Sequence, residues 1–199
     1  MGKMKYLVIH TTDTPFDREI TPDDIYMWHL GPKNNSDGTY TYLGRIISKK
    51  DLENVYLILP SGKKVKALDT PGRGWKQVGY SDMINRKGEL INLVPYTFDD
   101  VIDSFEVTNG ATGYNSNSRH IVLAGGWSKD GKVKNGKNSD GYYMEPLELY
   151  TKEQINTLIQ YLKAQREIVP SVEIVGHNNL SQKTCPNFDV KEFLRKHII

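Results

Sequence analysis

The sequence predicts an α/β fold, in which one domain has a central mixed β-sheet flanked by helices. Two short apolar runs, at residues 6–9 and 121–124, are typical of buried strands, and residues 172–175 predict a third strand. Segments with helical spacing alternate with these runs, which indicates a mixed sheet covered by helices. The clearest helix follows Thr151, because Thr151 and Gln154 form a capping box ahead of a stripe of apolar residues. We therefore expect a single domain over residues 1–199.

A shorter helix and then an insertion are predicted after the first strand. Thr21 is suited to an N-cap, and Pro22 follows at the first helical position. From about residue 31 to 74, glycine, asparagine, serine, aspartate and lysine dominate the composition. Within this stretch, the segments 55–59 and 64–68 flank a Pro-Ser-Gly sequence, which predicts a hairpin. Because the stretch is short for a core of its own, we interpret residues 31–74 as an insertion packed on the domain.

Three further segments complete the expected organisation. Residues 78–84 and 90–94 flank a turn that contains Gly88, which predicts a second hairpin. Residues 129–143 are rich in lysine, glycine, asparagine and serine and are expected to form a mobile surface loop. Asp189 is expected to cap a last short helix.

The composition argues against several classes of partner and location. With 26 Lys and Arg against 24 Asp and Glu in 199 residues, the net charge of +2 is too balanced to indicate a nucleic-acid partner. No stretch approaches the roughly 20 apolar residues that span a bilayer. The apolar run at 6–9 is too short for a signal-peptide core, so we expect synthesis in the cytoplasm without an export signal. The single cysteine, Cys185, excludes a disulfide bond within the chain.

Two histidines and this cysteine form a candidate metal site. His10 and His177 lie at the ends of predicted strands, where ligands of open α/β sheets gather. Cys185 lies on the loop after His177, and a loop of that length can turn back to the same point. Two imidazoles and one thiolate suit Zn²⁺, and three protein ligands leave a fourth position for water. Spacing alone leaves the alternatives open, since a strand-end histidine is more often structural and a lone cysteine is more often a buried apolar residue.

The motifs around these residues are more specific than their spacing. In chain order they are Leu7-Val8-Ile9-His10-Thr11-Thr12, Val78-Gly79-Tyr80, Gly113-Tyr114-Asn115-Ser116-Asn117-Ser118, Leu123-Ala124-Gly125-Gly126, Gly176-His177-Asn178-Asn179-Leu180 and Lys183-Thr184-Cys185-Pro186-Asn187-Phe188-Asp189. This series resembles the N-acetylmuramoyl-L-alanine amidases of the bacteriophage lysozyme type, a superfamily that includes the peptidoglycan recognition proteins. The resemblance covers about residues 4–30 and 75–197 and leaves the insertion outside.

The resemblance implies an activity and the roles of five residues. Enzymes of this family hydrolyse the amide bond between N-acetylmuramic acid and L-alanine in bacterial peptidoglycan by a zinc-activated water. Matching the motifs position by position makes His10, His177 and Cys185 the zinc ligands. Tyr80 matches the tyrosine beside the metal-held water, and Lys183 matches the lysine that faces the reacting carbonyl. The expected cofactor is therefore Zn²⁺ and the expected partner is peptidoglycan or a muropeptide, with the protein acting as a monomer.

The sequence also departs from the family pattern. Related phage enzymes carry a histidine shortly before Gly-Tyr-Asn, where this chain has Gly110, and His120 occupies a strand position at which the family often has a small residue. His120 either points into the site in place of the missing imidazole or is a structural histidine of the strand. His29, near the end of the first helix, is explained by a favourable interaction with the helix dipole. Trp75 and Trp127 flank motifs of the site and are the candidates for lining a glycan groove, although a single tryptophan is more often a core residue.

Two other functions stay open on the residues alone. A recognition module would keep the groove without catalysis, but family members of that kind lack the cysteine ligand, which this chain retains. A thiol hydrolase would use Cys185 as nucleophile and His177 as base. For the amidase, the absence of an export signal fits a phage or prophage endolysin, a cytoplasmic enzyme that recycles wall fragments, or an effector exported by a dedicated machine.

Overall fold

The computed structural model describes residues 2–197 and 199, and the chain forms two compact units. The larger unit comprises Met1–Ile20 and Tyr80–Ile199, and the smaller one comprises Thr21–Gly79. The strands are β1 (Gly2–Lys3), β2 (Tyr6–Thr11), β3 (Lys33–Asn34), β4 (Tyr40–Tyr42), β5 (Arg45–Ile47), β6 (Tyr56–Ile58), β7 (Lys64–Lys66), β8 (Asp82–Ile84), β9 (Leu90–Asn92), β10 (Val101–Ile102), β11 (Ser118–Leu123) and β12 (Glu173–Gly176). The α-helices are α1 (Pro22–Leu30), α2 (Lys49–Leu52), α3 (Pro146–Leu149), α4 (Lys152–Ile168), α5 (His177–Leu180) and α6 (Val190–His197).

A five-stranded mixed sheet forms the centre of the larger unit. Its strand order is β12-β2-β11-β8-β9. Strand β2 runs parallel to both β11 and β12, β11 runs parallel to β8, and β9 closes the sheet antiparallel to β8. Strands β2, β11 and β12 are buried over most of their length, and the apolar residues that indicated them in the sequence lie within them. The predicted α/β fold with a central mixed sheet is confirmed.

Helix α4 packs on one face of this sheet. It begins at the predicted capping box, in which the Thr151 side chain accepts a hydrogen bond from the backbone N–H of Gln154. Its buried residue Leu158 belongs to the same hydrophobic core as Ile9 of β2 and Ile121 of β11. Because successive side chains of a strand point to opposite faces, the even-numbered residues of β2 and β11 point away from α4.

The smaller unit has a hydrophobic cluster of its own. Leu52, Leu57, Leu59 and Ala67 are buried there, and Tyr26 and other partly buried residues pack against them. This corrects the expectation that the region is too short for a core. The reason is that α1 belongs to this unit and adds its apolar side chains to those of the strands. The smaller unit, Thr21–Gly79, extends beyond the predicted insertion of residues 31–74 at both ends. The assignment of the chain to one domain with an insertion stays a prediction.

The remaining elements follow the expected pattern closely. Both predicted hairpins form, as β6 with β7 and as β8 with β9, but residues 78–81 precede the second hairpin rather than belonging to it. The side chain of Asp189 accepts a hydrogen bond from the backbone N–H of Glu192 (3.1 Å) and so caps the start of α6. Among the described residues, no helix combines the length and the apolar character that crossing a membrane requires.

Candidate metal centre and active site

Two parallel strands bring His10 and His177 together at one edge of the sheet. His10 is the penultimate residue of β2, and His177 directly follows β12. The register pairs Gly176 with Ile9, so the residues that follow in each strand lie side by side. The two imidazole centroids are 4.7 Å apart, and both side chains are buried, with exposed fractions of 1% for His10 and 7% for His177.

The loop after α5 returns Cys185 to the same point. Its Sγ atom lies 3.6 Å from His10 Nδ1 and accepts a hydrogen bond from the backbone N–H of Thr11 (3.3 Å). Among the described residues, His10, His177 and Cys185 form a group whose metal-ligating atoms all lie within 4.8 Å of one another. Two imidazole nitrogens and one sulfur at this separation are a donor set that fits Zn²⁺ and leaves a fourth coordination position open.

Burial shifts the pKa values of His177 and Cys185. It raises the pKa of the Cys185 thiol to about 12, against the smaller opposing effects of the Thr11 N–H and the Lys183 charge. Burial, followed by the charge of Lys183, lowers the pKa of His177 to about 4. The imidazole of His177 is therefore neutral near pH 7, with a lone pair free for a metal, and the thiol must lose its proton before it can bind one.

Tyr80 and Lys183 lie beside these three residues. The ring of Tyr80 is 5.1 Å from that of His10, centroid to centroid. Lys183 is exposed on the loop before Cys185, and its charge acts on both His177 and Cys185. The five residues singled out in the sequence are thus neighbours in the structure, although they come from four separate segments of the chain.

His120 is the residue that the sequence left unresolved, and it contacts the candidate ligand His10. Its side chain is completely buried, and its Nδ1 atom lies 3.0 Å from His10 Nε2. Burial, followed by the nearby His177, lowers the pKa of His120 to about 3, so the imidazole is neutral. Among the described residues, its Nε2 atom has no hydrogen-bond partner.

Four residues that hold the cysteine loop were not identified in the sequence as functional. The Tyr150 hydroxyl donates to the carbonyl of Pro186 (2.7 Å), and the Asn187 side-chain amide donates to the carbonyl of Gly126 (3.1 Å). The Thr11 hydroxyl donates to the carbonyl of Gly125 (2.7 Å). Gly126 has φ of 115°, and a Cβ atom there would collide with the Thr11 hydroxyl oxygen. The Gly-Gly and Cys-Pro-Asn motifs thus support the loop that carries Cys185, which spacing along the sequence does not reveal.

The family model for N-acetylmuramoyl-L-alanine amidase matches residues 1–188 of this chain. The chain belongs to this family. The bounds of the match enclose residues 31–74, which were expected to lie outside the resemblance. The amidase is 28% identical over 123 residues to the endolysin of Enterobacteria phage K11, with 62% of this chain and 68% of the relative covered. It is 27% identical over 125 residues to the endolysin of Escherichia phage T7, with 63% and 69% covered.

Solved structures share the fold of the amidase. The N-acetylmuramoyl-L-alanine amidase LysC from Clostridium intestinale URNW superimposes with a TM-score of 0.53 at 18% identity, over 99% of this chain and 87% of that chain. The endolysin of the Thermus scotoductus bacteriophage Ph2119 gives a TM-score of 0.52 at 18% identity, over 99% and 86%. A variant of Drosophila PGRP-LB in complex with tracheal cytotoxin gives 0.51 at 17% identity, over 98% and 82%. These structures share the fold, while the family and the endolysin relatives show that the amidase hydrolyses peptidoglycan.

The explanation predicted for His29 of the amidase is wrong. A favourable interaction with the helix dipole needs a charged imidazole, but burial, followed by the charge of Arg73, lowers the pKa of His29 to about 4. His29 Nδ1 instead accepts a hydrogen bond from the backbone N–H of Gly79 (3.1 Å), and its ring lies 4.9 Å from that of Trp75. His29 and Trp75 are therefore packed together within the smaller unit. Lys134 Nζ lies over the face of the Trp127 ring, 4.5 Å from its centroid. That Trp75 and Trp127 line a glycan groove stays a prediction.

Proposed function

We propose that the protein is a zinc-dependent amidase that cuts the bond between N-acetylmuramic acid and L-alanine, with the metal held by His10, His177 and Cys185. The observation that carries this proposal is the mutual proximity of the three donor atoms, all within 4.8 Å, at the carboxyl ends of two parallel strands. Two buried imidazoles and one partly buried cysteine thiol form a donor set that is suited to zinc.

When bound here, zinc supplies Lewis acidity and activates water near neutral pH. The protein's own residues then stabilise the charge that develops on the carbonyl oxygen during amide hydrolysis. We assign this role to Lys183, because it is an exposed cation on the loop that carries the ligand Cys185. One such donor contributes about 3–4 kcal/mol to transition-state stabilisation. We assign proton transfer or water orientation to Tyr80, whose ring lies 5.1 Å from His10.

The alternative of an inactive recognition module is less well supported. A binding protein does not need the metal ligands, yet all three are present and close together here. Lys183 and Tyr80 are also present beside them. The complete set of ligands and polar groups favours catalysis over binding alone.

The partner that we propose is peptidoglycan or a muropeptide, and the setting is bacterial cell-wall degradation by a phage or prophage endolysin. The endolysins of phages K11 and T7 support this setting, and the PGRP-LB variant in complex with tracheal cytotoxin supports a peptidoglycan-related ligand. We further propose that the protein acts as a monomer.

The experiment that tests this function is product analysis by mass spectrometry after incubation with defined muropeptides. We expect a free peptide that begins with L-alanine, its loss after treatment with a chelator, and its return when Zn²⁺ is added. The Cys185→Ser variant should lose zinc and activity together, whereas Lys183→Ala should keep zinc and lose activity. Binding of muropeptide without cleavage in the zinc-loaded wild type would favour the recognition module, and activity unaffected by the chelator would favour the thiol hydrolase.

A further inference from the structure

The hydrogen bond between His10 and His120 has a defined direction if His10 binds the metal. His10 Nδ1 is the nitrogen that faces Cys185 Sγ, at 3.6 Å, so it is the atom that the geometry offers to a metal. A neutral imidazole has one N–H, so with the Nδ1 lone pair on the metal the proton is on Nε2. His10 Nε2 lies 3.0 Å from His120 Nδ1, which must then be the acceptor.

The opposite direction is incompatible with metal binding. If His120 Nδ1 donated the proton, a neutral His10 would accept it at Nε2 and carry its own proton on Nδ1. That proton would point toward Cys185 and block the lone pair that a metal needs. The acceptor at His120 therefore selects between the two tautomers of His10.

The sheet register makes this contact rigid. His120 pairs with Val8, and Val122 pairs with His10, so both histidines lie on the same face of two adjacent parallel strands. Both strands are buried over nearly their whole length, so neither imidazole can be displaced into solvent. Metal-ligating histidines are commonly oriented through their second nitrogen by a carboxylate or a carbonyl, and in this site an imidazole is in the position to do so.

A purely structural role does not account for His120. Its side chain is completely buried, and among the described residues its Nε2 atom has no partner, which is unfavourable for a buried polar group. An apolar side chain would fill the same space without that penalty. The group of close metal-ligating atoms in the described part of the chain also leaves His120 out, so it is not a fourth ligand.

We propose that His120 is a positioning residue for the metal ligand His10: its Nδ1 accepts a hydrogen bond from His10 Nε2–H and so holds His10 with Nδ1 directed at the metal. This inference rests on the proposed zinc site. It goes beyond the ligand set because it assigns a task to a buried imidazole that is not one of the three candidate ligands.

The first test compares zinc affinity among variants, measured by competition with a chromophoric chelator. We expect His120→Leu, which removes the acceptor, to weaken zinc binding by about 10- to 100-fold. His120→Asn places an amide oxygen near the position of Nδ1 and is expected to restore most of the affinity. Ser118→Ala is the matched control, because Ser118 is buried two residues earlier on the same face of β11 and its hydroxyl also lacks a partner among the described residues.

The stability of the metal-free variants separates positioning from a structural role. We expect His120→Leu without zinc to have nearly the resistance of the wild type to urea, because the loss of the unpaired Nε2–H offsets the loss of the acceptor of His10, and yet to bind zinc less tightly. A structural residue would lower the stability and leave the affinity unchanged. If the wild type binds zinc and His120→Leu binds it equally well, the inference is refuted; if the wild type binds no zinc, the proposed function itself fails.

A measurement on the wild type keeps the test decisive even if His120→Leu does not fold. In the zinc-loaded protein, ¹H–¹⁵N spectra of the imidazole rings report which nitrogen carries the proton. We expect His10 to be protonated at Nε2 and His120 to be protonated at Nε2 with Nδ1 free. A His120 ring protonated at Nδ1 would overturn the proposal.

Discussion

Zinc binding to the metal-free protein is expected to release one proton from Cys185. Burial raises the pKa of this thiol to about 12 from its ordinary value of 9.0, so the thiol is protonated near neutral pH. A cysteine that coordinates zinc is a thiolate, so the proton must leave as the metal binds. The pKa of His177, lowered to about 4 by burial and then by Lys183, means that this imidazole has already lost its proton.

The magnitude follows from the same pKa values. Displacement of one proton makes zinc binding tighten about tenfold for each unit of rising pH, equivalent to about 1.4 kcal/mol per unit. Cys185 contributes to this pH dependence of zinc affinity up to its pKa of about 12. A reactive cysteine with a pKa lowered to about 6 would already be ionised at pH 7.5 and would release almost no proton.

Calorimetric titration with Zn²⁺ in buffers of different ionisation enthalpy measures the number of protons released. The matched control is Cys185→Asp, which offers an ionised oxygen at the same place. All other ionisable groups are the same in the two proteins and contribute equally to proton release. The wild type is therefore expected to release about one proton more than the variant at pH 7. Equal proton release would refute the reasoning, because it would mean that the thiol is ionised before the metal arrives.

Three further predictions concern the reaction and the fold. Lys183→Ala is expected to lower kcat/KM on a muropeptide by about 10²- to 10³-fold at unchanged zinc content, and an unchanged rate would remove Lys183 from the mechanism. Leu158→Ala should destabilise the protein by about 2–5 kcal/mol in urea titrations, because Leu158 is fully buried between α4 and the sheet; a change below 1 kcal/mol would contradict this packing. His29 has a pKa of about 4 in the folded protein against 6.5 ordinarily, so the unfolded chain binds more protons between these values and stability falls as the pH drops from 6.5 to 4. Between pH 7 and pH 5 this loss is at most about 2 kcal/mol, and urea titrations at the two pH values should show a smaller loss in His29→Gln.

The parts of the fold that the sequence predicts well are those in which one local pattern determines the structure. Strands β2, β11 and β12 are buried over most of their length, and each contains a short cluster of apolar residues that indicates a strand. Helix α4 is predictable because Thr151 and Gln154 form its cap within a few residues of each other. His10 and His177 are predictable as neighbours because both lie at the carboxyl ends of strands, and parallel strands place these ends at one edge.

Residues whose partners are distant in sequence escape this kind of prediction. Arg119 lies inside the buried strand β11 and is almost completely buried itself. Its guanidinium donates to the Gln165 side chain (3.0 Å) and to the carbonyl of Thr97 (3.1 Å), and it lies 3.9 Å from the carboxylate of Glu106. The side chain of His120, the next residue, contacts that of His10 on the adjacent strand β2. No local pattern encodes these pairs, because the partners are brought together only by the tertiary fold.

Burial decides between the two chemistries open to a cysteine and a histidine at this site. A thiol hydrolase needs His177 to take a proton from Cys185, but burial lowers the pKa of His177 to about 4 and raises that of Cys185 to about 12, and both shifts oppose this transfer. The charge of Lys183 acts in favour of the thiolate, yet its effect is smaller than that of burial. A divalent cation reverses this balance, because it stabilises the thiolate directly and binds the neutral imidazole that is unsuited to act as a base. The same burial that disfavours a nucleophilic thiol therefore favours a metal ligand.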